Sequence, residues 1–152
     1  MTNEKIAAIL QQIVTELSQQ SLGHTIHSRI FKSQGFSKLA EKYAEHAEEM
    51  GFVEKCIDRL IDLGCEVKLE SKAEGSVKDP VEYIKYDLSL SRNEEGLALM
   101  KEVIALAMVE DYTSYDILKD YMQDEDKDAN WMEEQLELIE LIGKQNWLVH
   151  QL

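Results

Sequence analysis

The chain is poor in helix breakers. One proline (Pro80) and seven glycines interrupt 152 residues, which argues against the many short strands and turns of an all-β fold and favours long helices. Cysteine is scarce: Cys56 and Cys65 stand at a spacing that matches no zinc or redox motif, and two are too few for a disulfide scaffold. No apolar run reaches the ~18 residues of a membrane span. From the first residues, Met1-Thr-Asn-Glu-Lys, no secretory leader is expected. A reducing cytoplasm is the expected location, and no membrane partner is expected. Bases are few as well. Sixteen Lys and Arg face 30 Asp and Glu, a formal charge of −14, which repels nucleic acid and anionic lipid and attracts cations. A glycine-rich phosphate loop, a nucleophile triad and a basic patch are all missing.

What is present is an apolar content of 44%, enough to give a single domain over residues 1–152 a real core. It falls into four long periodic segments. Helices are expected over about 3–34, 37–63, 80–109 and 114–142, with a short tail helix over 144–152. The first carries the stripe Ile6, Ile9, Ile13, Leu17, Ser21, His24, Ser28, Phe31. The second opens with Ser37 as an N-cap and ends at Gly64. Its neighbouring stripes are Leu39, Tyr43, Met50, Val53, Ile57 and Glu45, Glu49, Phe52, Cys56, Leu60. Asp79-Pro80 opens the third, with aspartate as cap and proline in the first turn. At 1.5 Å per residue each rod spans roughly 40–45 Å. Rods of equal length bury their stripes best side by side, which predicts an all-α four-helix bundle. The first–second and third–fourth connections are short, so those pairs are antiparallel hairpins. Residues 65–78, a mixed segment with Gly75, are long enough to cross the whole bundle.

Acids interrupt the core stripe of the fourth helix, Ile117, Tyr121, Glu125, Asp128, Met132, Leu136, Ile139. Residues three apart share a face, so Glu125 and Asp128 point together. Glu49 and Phe52 hold the matching positions on the second helix. A buried, unpaired carboxylate is costly, and hard metal ions such as iron prefer oxygen donors and tolerate imidazole. The competing reading is that these acids lie on helix flanks, solvated or paired with a base.

These segments resemble the bacterioferritins. The likeness rests on Leu39, Tyr43 and Glu48-Glu49-Met50, on Ile57-Asp-Arg-Leu-Ile-Asp-Leu-Gly64, on His27-Ser-Arg-Ile-Phe-Lys32 ahead of Gly35, on Asp124-Glu125, Asn130-Trp131 and Glu134-Gln-Leu-Glu-Leu-Ile-Glu-Leu-Ile-Gly143, and on the tail Gln145-Asn-Trp-Leu-Val-His-Gln-Leu152. It covers nearly the whole chain and is vague in the third helix. It implies a ferritin-like bundle with a long crossover and a short fifth helix. It also implies paired subunits that build hollow shells of twenty-four, haem b between the members of a pair, and a di-iron site that turns Fe(II) into stored ferric mineral. Carried over residue by residue, that site is altered. Glu49 and Glu125 are present, but Phe52 and Asp128 stand where the family has histidines. The first-helix glutamate position falls on Leu17 and the third-helix one near Ser91, with Glu95 one turn on. His24 stands where the family has a tyrosine close to the metals. The resemblance thus implies a rearranged iron set of His24, Glu49, Glu95, Glu125 and Asp128. Met50 keeps the place of the family's axial haem ligand, with Tyr43 and Val53 on its stripe. His46, among Glu45, Glu48 and Glu49, reads as part of a solvated face. His27 and His150 read as structural, and Trp131 and Trp147 as packing residues.

Three functions follow. The first is an iron-storing, haem-binding shell subunit that oxidises iron poorly and co-assembles with an active subunit. The second is an enzyme, a ferroxidase with an altered ligand set. The third is a structural or interaction bundle that binds no metal.

Overall fold

The computed structural model describes residues 3–71 and 77–152, and among them it contains helices and no strand. Helix α1 spans Glu4–Ser33. Asn3 caps it, its side chain accepting from the Lys5 and Ile6 amides. It ends at Gly35, whose φ of +91° admits the left-handed turn. The Phe36 amide then reaches back to the Phe31 carbonyl and the Gly35 amide to that of Lys32, satisfying carbonyls that the helix end would leave open.

The second rod, expected as one helix, is made of three pieces. Helix α2 (Ser37–His46) passes through a 3-10 turn (Ala47–Glu49) into helix α3 (Met50–Asp62). A regular helix would continue the buried series Leu39, Tyr43, His46 to Met50. The 3-10 turn advances each residue by about 120° instead of about 100°. Three residues therefore rephase the rod by about 60°, and the buried series becomes Leu39, Tyr43, His46, Glu49, Val53, Cys56, Leu60. The Ser21 hydroxyl donates to the Ala47 carbonyl at 2.8 Å and fastens this turn to α1. Ser37 is not the N-cap. Phe36 holds that position without a side-chain hydrogen bond, and the open Lys38 amide is met at 3.0 Å by the Gln151 carbonyl of the tail.

The third rod is also broken. Helix α4 (Pro80–Ser91) starts under an Asp79 cap, and helix α5 (Glu94–Glu110) restarts under Asn93, whose side chain accepts from the Gly96 amide. Helix α6 runs Tyr112–Ile142, beginning two residues earlier than expected because Asp111 caps it through the Ser114 amide. The tail helix α7 is Lys144–Val149, shorter than expected.

Core packing sets the topology. The start of α1, the end of α3, the end of α5 and the start of α6 bury one cluster together: Ile6, Ile13, Leu60, Ala107, Leu118 and their neighbours. The end of α1, the start of α2, the start of α4 and the end of α6 bury another, with Phe31, Leu39, Ile84, Met132 and Trp147 of α7. Leu60 and Val81 thus lie at opposite ends, and the connection between α3 and α4 must cross the length of the bundle. Lys68 runs along α1, exchanging hydrogen bonds with the Gln11 amide group at 2.9 and 3.1 Å. Residues 72–76 of the expected 65–78 connection lie outside the described residues.

Candidate metal centre

Between the two apolar clusters sits a polar band. α1 supplies His24, the end of α2 His46, the 3-10 turn Glu49, α4 Asp87, and α6 Glu125 and Asp128. His24, His46, Glu49 and Asp87 are each no more than 5% exposed. Imidazole and carboxylate interlock. His24 Nε2 lies 3.0 Å from Asp87 Oδ2 and hydrogen-bonded to it. His24 Nδ1 lies 2.7 Å from Glu49 Oε1, and His46 Nε2 3.4 Å from Asp128 Oδ1. These last two approaches are close but out of line for a hydrogen bond, so His24 Nδ1, Glu49 Oε1 and both nitrogens of His46 are buried without a hydrogen-bond partner among the described residues. The Tyr43 hydroxyl shares that condition. Each such atom costs about 1–3 kcal/mol.

Aromatic rings wall the band. Tyr43 packs on His24 and His46 with centroids 5.7 and 5.1 Å apart, Trp131 stands edge-on to His46 at 5.5 Å, and Tyr83 lies 6.0 Å from His24. The wall is pinned by His27, which stacks flat on Tyr83 at 3.4 Å. Its Nδ1 donates to the Gly23 carbonyl, and its Nε2 accepts from the Lys78 amide.

The electrostatics follow from burial. Desolvation opposes charge on His24, but Asp87 and Glu49 outweigh it and raise the imidazole to about 10. In the metal-free protein His24 is therefore a cation held between two carboxylates. Burial, with the His24 charge beside it, drives His46 down to about 4, leaving its imidazole neutral with its lone pair free for a cation. Glu49 is pushed up to about 7 by burial, in spite of His24. Glu125 is pushed up to about 8, by burial and then by Glu49. Asp128 rises to about 6 through burial and Asp124. A cation entering the band relieves all three carboxylates.

The expected ligands are distributed as follows. His24, Glu49 and Asp128 come together. Glu125 lies one turn from Asp128 and accepts from the Ser91 hydroxyl at 3.3 Å, beside a cavity of about 110 Å³ that Glu16 and Gln20 also line. Glu95 does not join them. The break before α5 places it exposed in that helix's first turn, and Asp87, one turn before Ser91, takes the inward place. His46 is buried rather than solvated. Both omissions had a signal: His46 follows Leu39 and Tyr43 at helical spacing, and Asp87 follows Tyr83 and Ile84. Leu17 is 1% exposed in the aliphatic core. Phe52 packs edge-on against Tyr121 at 5.8 Å, so an apolar contact stands where the resemblance would put an imidazole.

The expected haem-lining set divides. Met50 is 40% exposed, as a ligand shared across a subunit pair requires. Tyr43 and Val53 do not flank it. Both are buried, Tyr43 among the rings and Val53 in the aliphatic cluster, because the 3-10 turn separates their face from that of Met50. Among the described residues no helix is long and apolar enough to cross a membrane.

Comparison with known proteins agrees with this geometry. Residues 7–142 match the model of the ferritin-like domain. A bacterial ferritin of Neisseria meningitidis serogroup A is 37% identical over 130 residues, covering 84% of this chain and 83% of the relative. A bacterial ferritin of Synechocystis is 34% identical with the same coverage. A bacterioferritin of Rhodobacter capsulatus is 28% identical over 147 residues, 95% of this chain and 88% of its own. An all-α bundle with a long crossover, four rods meeting at a band of carboxylates and imidazoles, and relatives that span nearly its whole length show that the chain belongs to the ferritin-like family.

Proposed function

We propose that this chain is an iron-storage subunit of bacterioferritin type that oxidises iron poorly on its own. The observation that carries the reading is the buried band itself: four carboxylates and two imidazoles in mid-bundle, with hydrogen-bonding capacity left open, in a fold of this family. Iron is the cargo that such oxygen-rich donors suit. Poor oxidation follows from Phe52 and Leu17, which replace two donors with hydrocarbon, and from Asp128, a shorter acid at the second histidine position. The subunit then contributes shell wall and acidic interior. It pairs with itself, builds up to a closed shell, and co-assembles with a subunit whose oxidation site is intact. Met50, exposed at the start of α3, is the residue of this chain that supplies an axial thioether to haem b at a two-fold contact. The cytoplasm is the location that fits such a store.

Sedimentation velocity, read at protein and Soret wavelengths, tests the assembly. A particle near the mass of twenty-four chains of 17.5 kDa, with Soret absorbance moving along with it, supports a haem-bearing shell. A colourless dimer that takes up no iron removes storage by this chain alone.

The open donors favour one second reading, a ferroxidase with an altered ligand set. Oxygen consumption on Fe(II) addition that collapses in Glu49→Ala or Glu125→Ala establishes it, and oxidation no faster than buffer discards it.

A further inference from the structure

We infer that His24, His46 and Asp87 form a site for one resident divalent first-row transition ion, an inference that rests on the reading of the buried band as a metal centre. His24, His46 and Asp87 each offer a donor atom, and the three lie within 4.8 Å of one another. With metal–ligand bonds of about 2.0–2.2 Å, the donors of a tetrahedral shell stand about 3.4 Å apart, so side-chain shifts of about 1 Å close the set. His24 Nε2 and Asp87 Oδ2 already lie 3.0 Å apart, and Asp128, 3.4 Å from His46 Nε2, borders the set.

Glu49 has a different part. It faces His24 Nδ1 at 2.7 Å, so that a turn of its carboxyl into line on ion binding makes it the outer carboxylate that orients the imidazole and leaves Nε2 to the ion, the usual support for a histidine ligand. His46 is the independent sign that something belongs here. It is 4% exposed, and neither nitrogen has a hydrogen-bond partner among the described residues, whereas a histidine buried for packing has at least one. Asp87 and the outer carboxylate Glu49 balance the charge of one divalent ion, so the loaded set is neutral, as burial requires. Two nitrogens and one carboxylate oxygen select Zn(II), Fe(II) or Co(II) over oxygen-seeking Ca(II) and thiolate-seeking Cu(I). The ion joins α1, α2 and α4 at mid-bundle, and the site stands whether or not the protein stores a mineral.

Titration of the chelator-treated full chain with Zn(II), which is redox-inert and forms no ferric mineral, tests this. One equivalent is expected to bind. His46→Ala and Asp87→Asn should each weaken it by more than the about 10–100-fold that loss of an outer partner costs, while Glu95→Gln, altered at an exposed position, binds as the parent does. X-ray absorption at the zinc edge of the unaltered protein should show two imidazole nitrogens, a result that does not depend on the variants folding. A folded chain that retains no Zn(II), unchanged affinity in both variants, or a zinc shell with fewer than two imidazoles overturns the assignment. The storage reading is judged by particle mass and iron uptake instead, so its failure and the failure of this one are told apart.

Discussion

Near the start of α1 the interior is aliphatic, built from Ile6, Ile9, Leu10, Ile13, Leu17, Val53, Leu60, Val103 and Leu118. Near its end the interior is aromatic, built on Phe31, Tyr43, Tyr83 and Trp147. The aliphatic half fills space with side chains that ask for nothing but contact. The aromatic half carries polar tips that need partners. The Trp147 indole finds one in Gln135 at 2.9 Å, and the Tyr43 hydroxyl finds none among the described residues. The polar band lies against this second half. Stability is thus shared by both halves, while unsatisfied chemistry collects on the aromatic side of the midline.

Substitutions sharpen that contrast. The largest effect is expected at Trp147, fully buried in α7. Trp147→Ala should cost about 3–5 kcal/mol in denaturant unfolding and free the tail from the Lys38 amide. Leu118→Ala, in the aliphatic half, should cost about 2–5 kcal/mol. A loss confined to one of the two would break the claim that both halves carry the fold. Asp111→Ala removes the cap of α6 together with the Arg59 pair at 2.7 Å and should cost about 1–2 kcal/mol. This contribution is pH-dependent. Burial works against the Asp111 carboxylate, but Ser114 and Arg59 hold it below its usual range. Its stabilisation is therefore present above the unfolded-state value and is lost as pH falls through the lower folded-state value. Parent and variant should converge in stability under acid, and a constant difference down to strongly acid pH would refute the assignment.

The band is expected to behave in the opposite sense. His46→Leu replaces two unpartnered nitrogens with hydrocarbon and should leave the metal-free protein unchanged or about 1 kcal/mol more stable. A clear loss would mean that His46 has a partner and that the site is structural. The smallest effect concerns Cys56, whose thiol is buried and pushed up to about 12. A thiol reagent should label the half-buried Cys65 in the native protein and reach Cys56 once the chain unfolds. Immediate labelling of both would show that the aliphatic half opens readily.

Much of this was legible in the sequence. Long periodic stripes, few breakers and one long connection set the bundle and its crossover, and Glu49, Asp128 and His24 stood out as polar residues on apolar stripes. What escaped reading depended on departures from regular helix. The pair Asn93-Glu94 is a cap followed by an acidic first turn, but it lies inside a long helical pattern, and continuing the helix through it made Glu95, one turn beyond Ser91, a candidate ligand. In the second rod a regular period led from Tyr43 to Met50 and left His46 among acids on an outer face. Sequence spacing does not display a 3-10 turn held by Ser21 from another helix. Asp87 was hidden because α4 is amphipathic only weakly, with Pro80, Val81, Tyr83, Ile84 and Asp87 all buried around more than one side.

That three-residue turn decides the chemical character of the middle of the bundle. In an unbroken helix the inward place after His46 would fall to Met50, a soft, neutral thioether. The overwound turn hands it to Glu49, a hard oxygen donor, and directs the thioether to the subunit surface. Two adjacent residues with opposite tastes in metals are thereby sorted to opposite faces of one rod, and the sorting is done by backbone pitch rather than by any change of side chain.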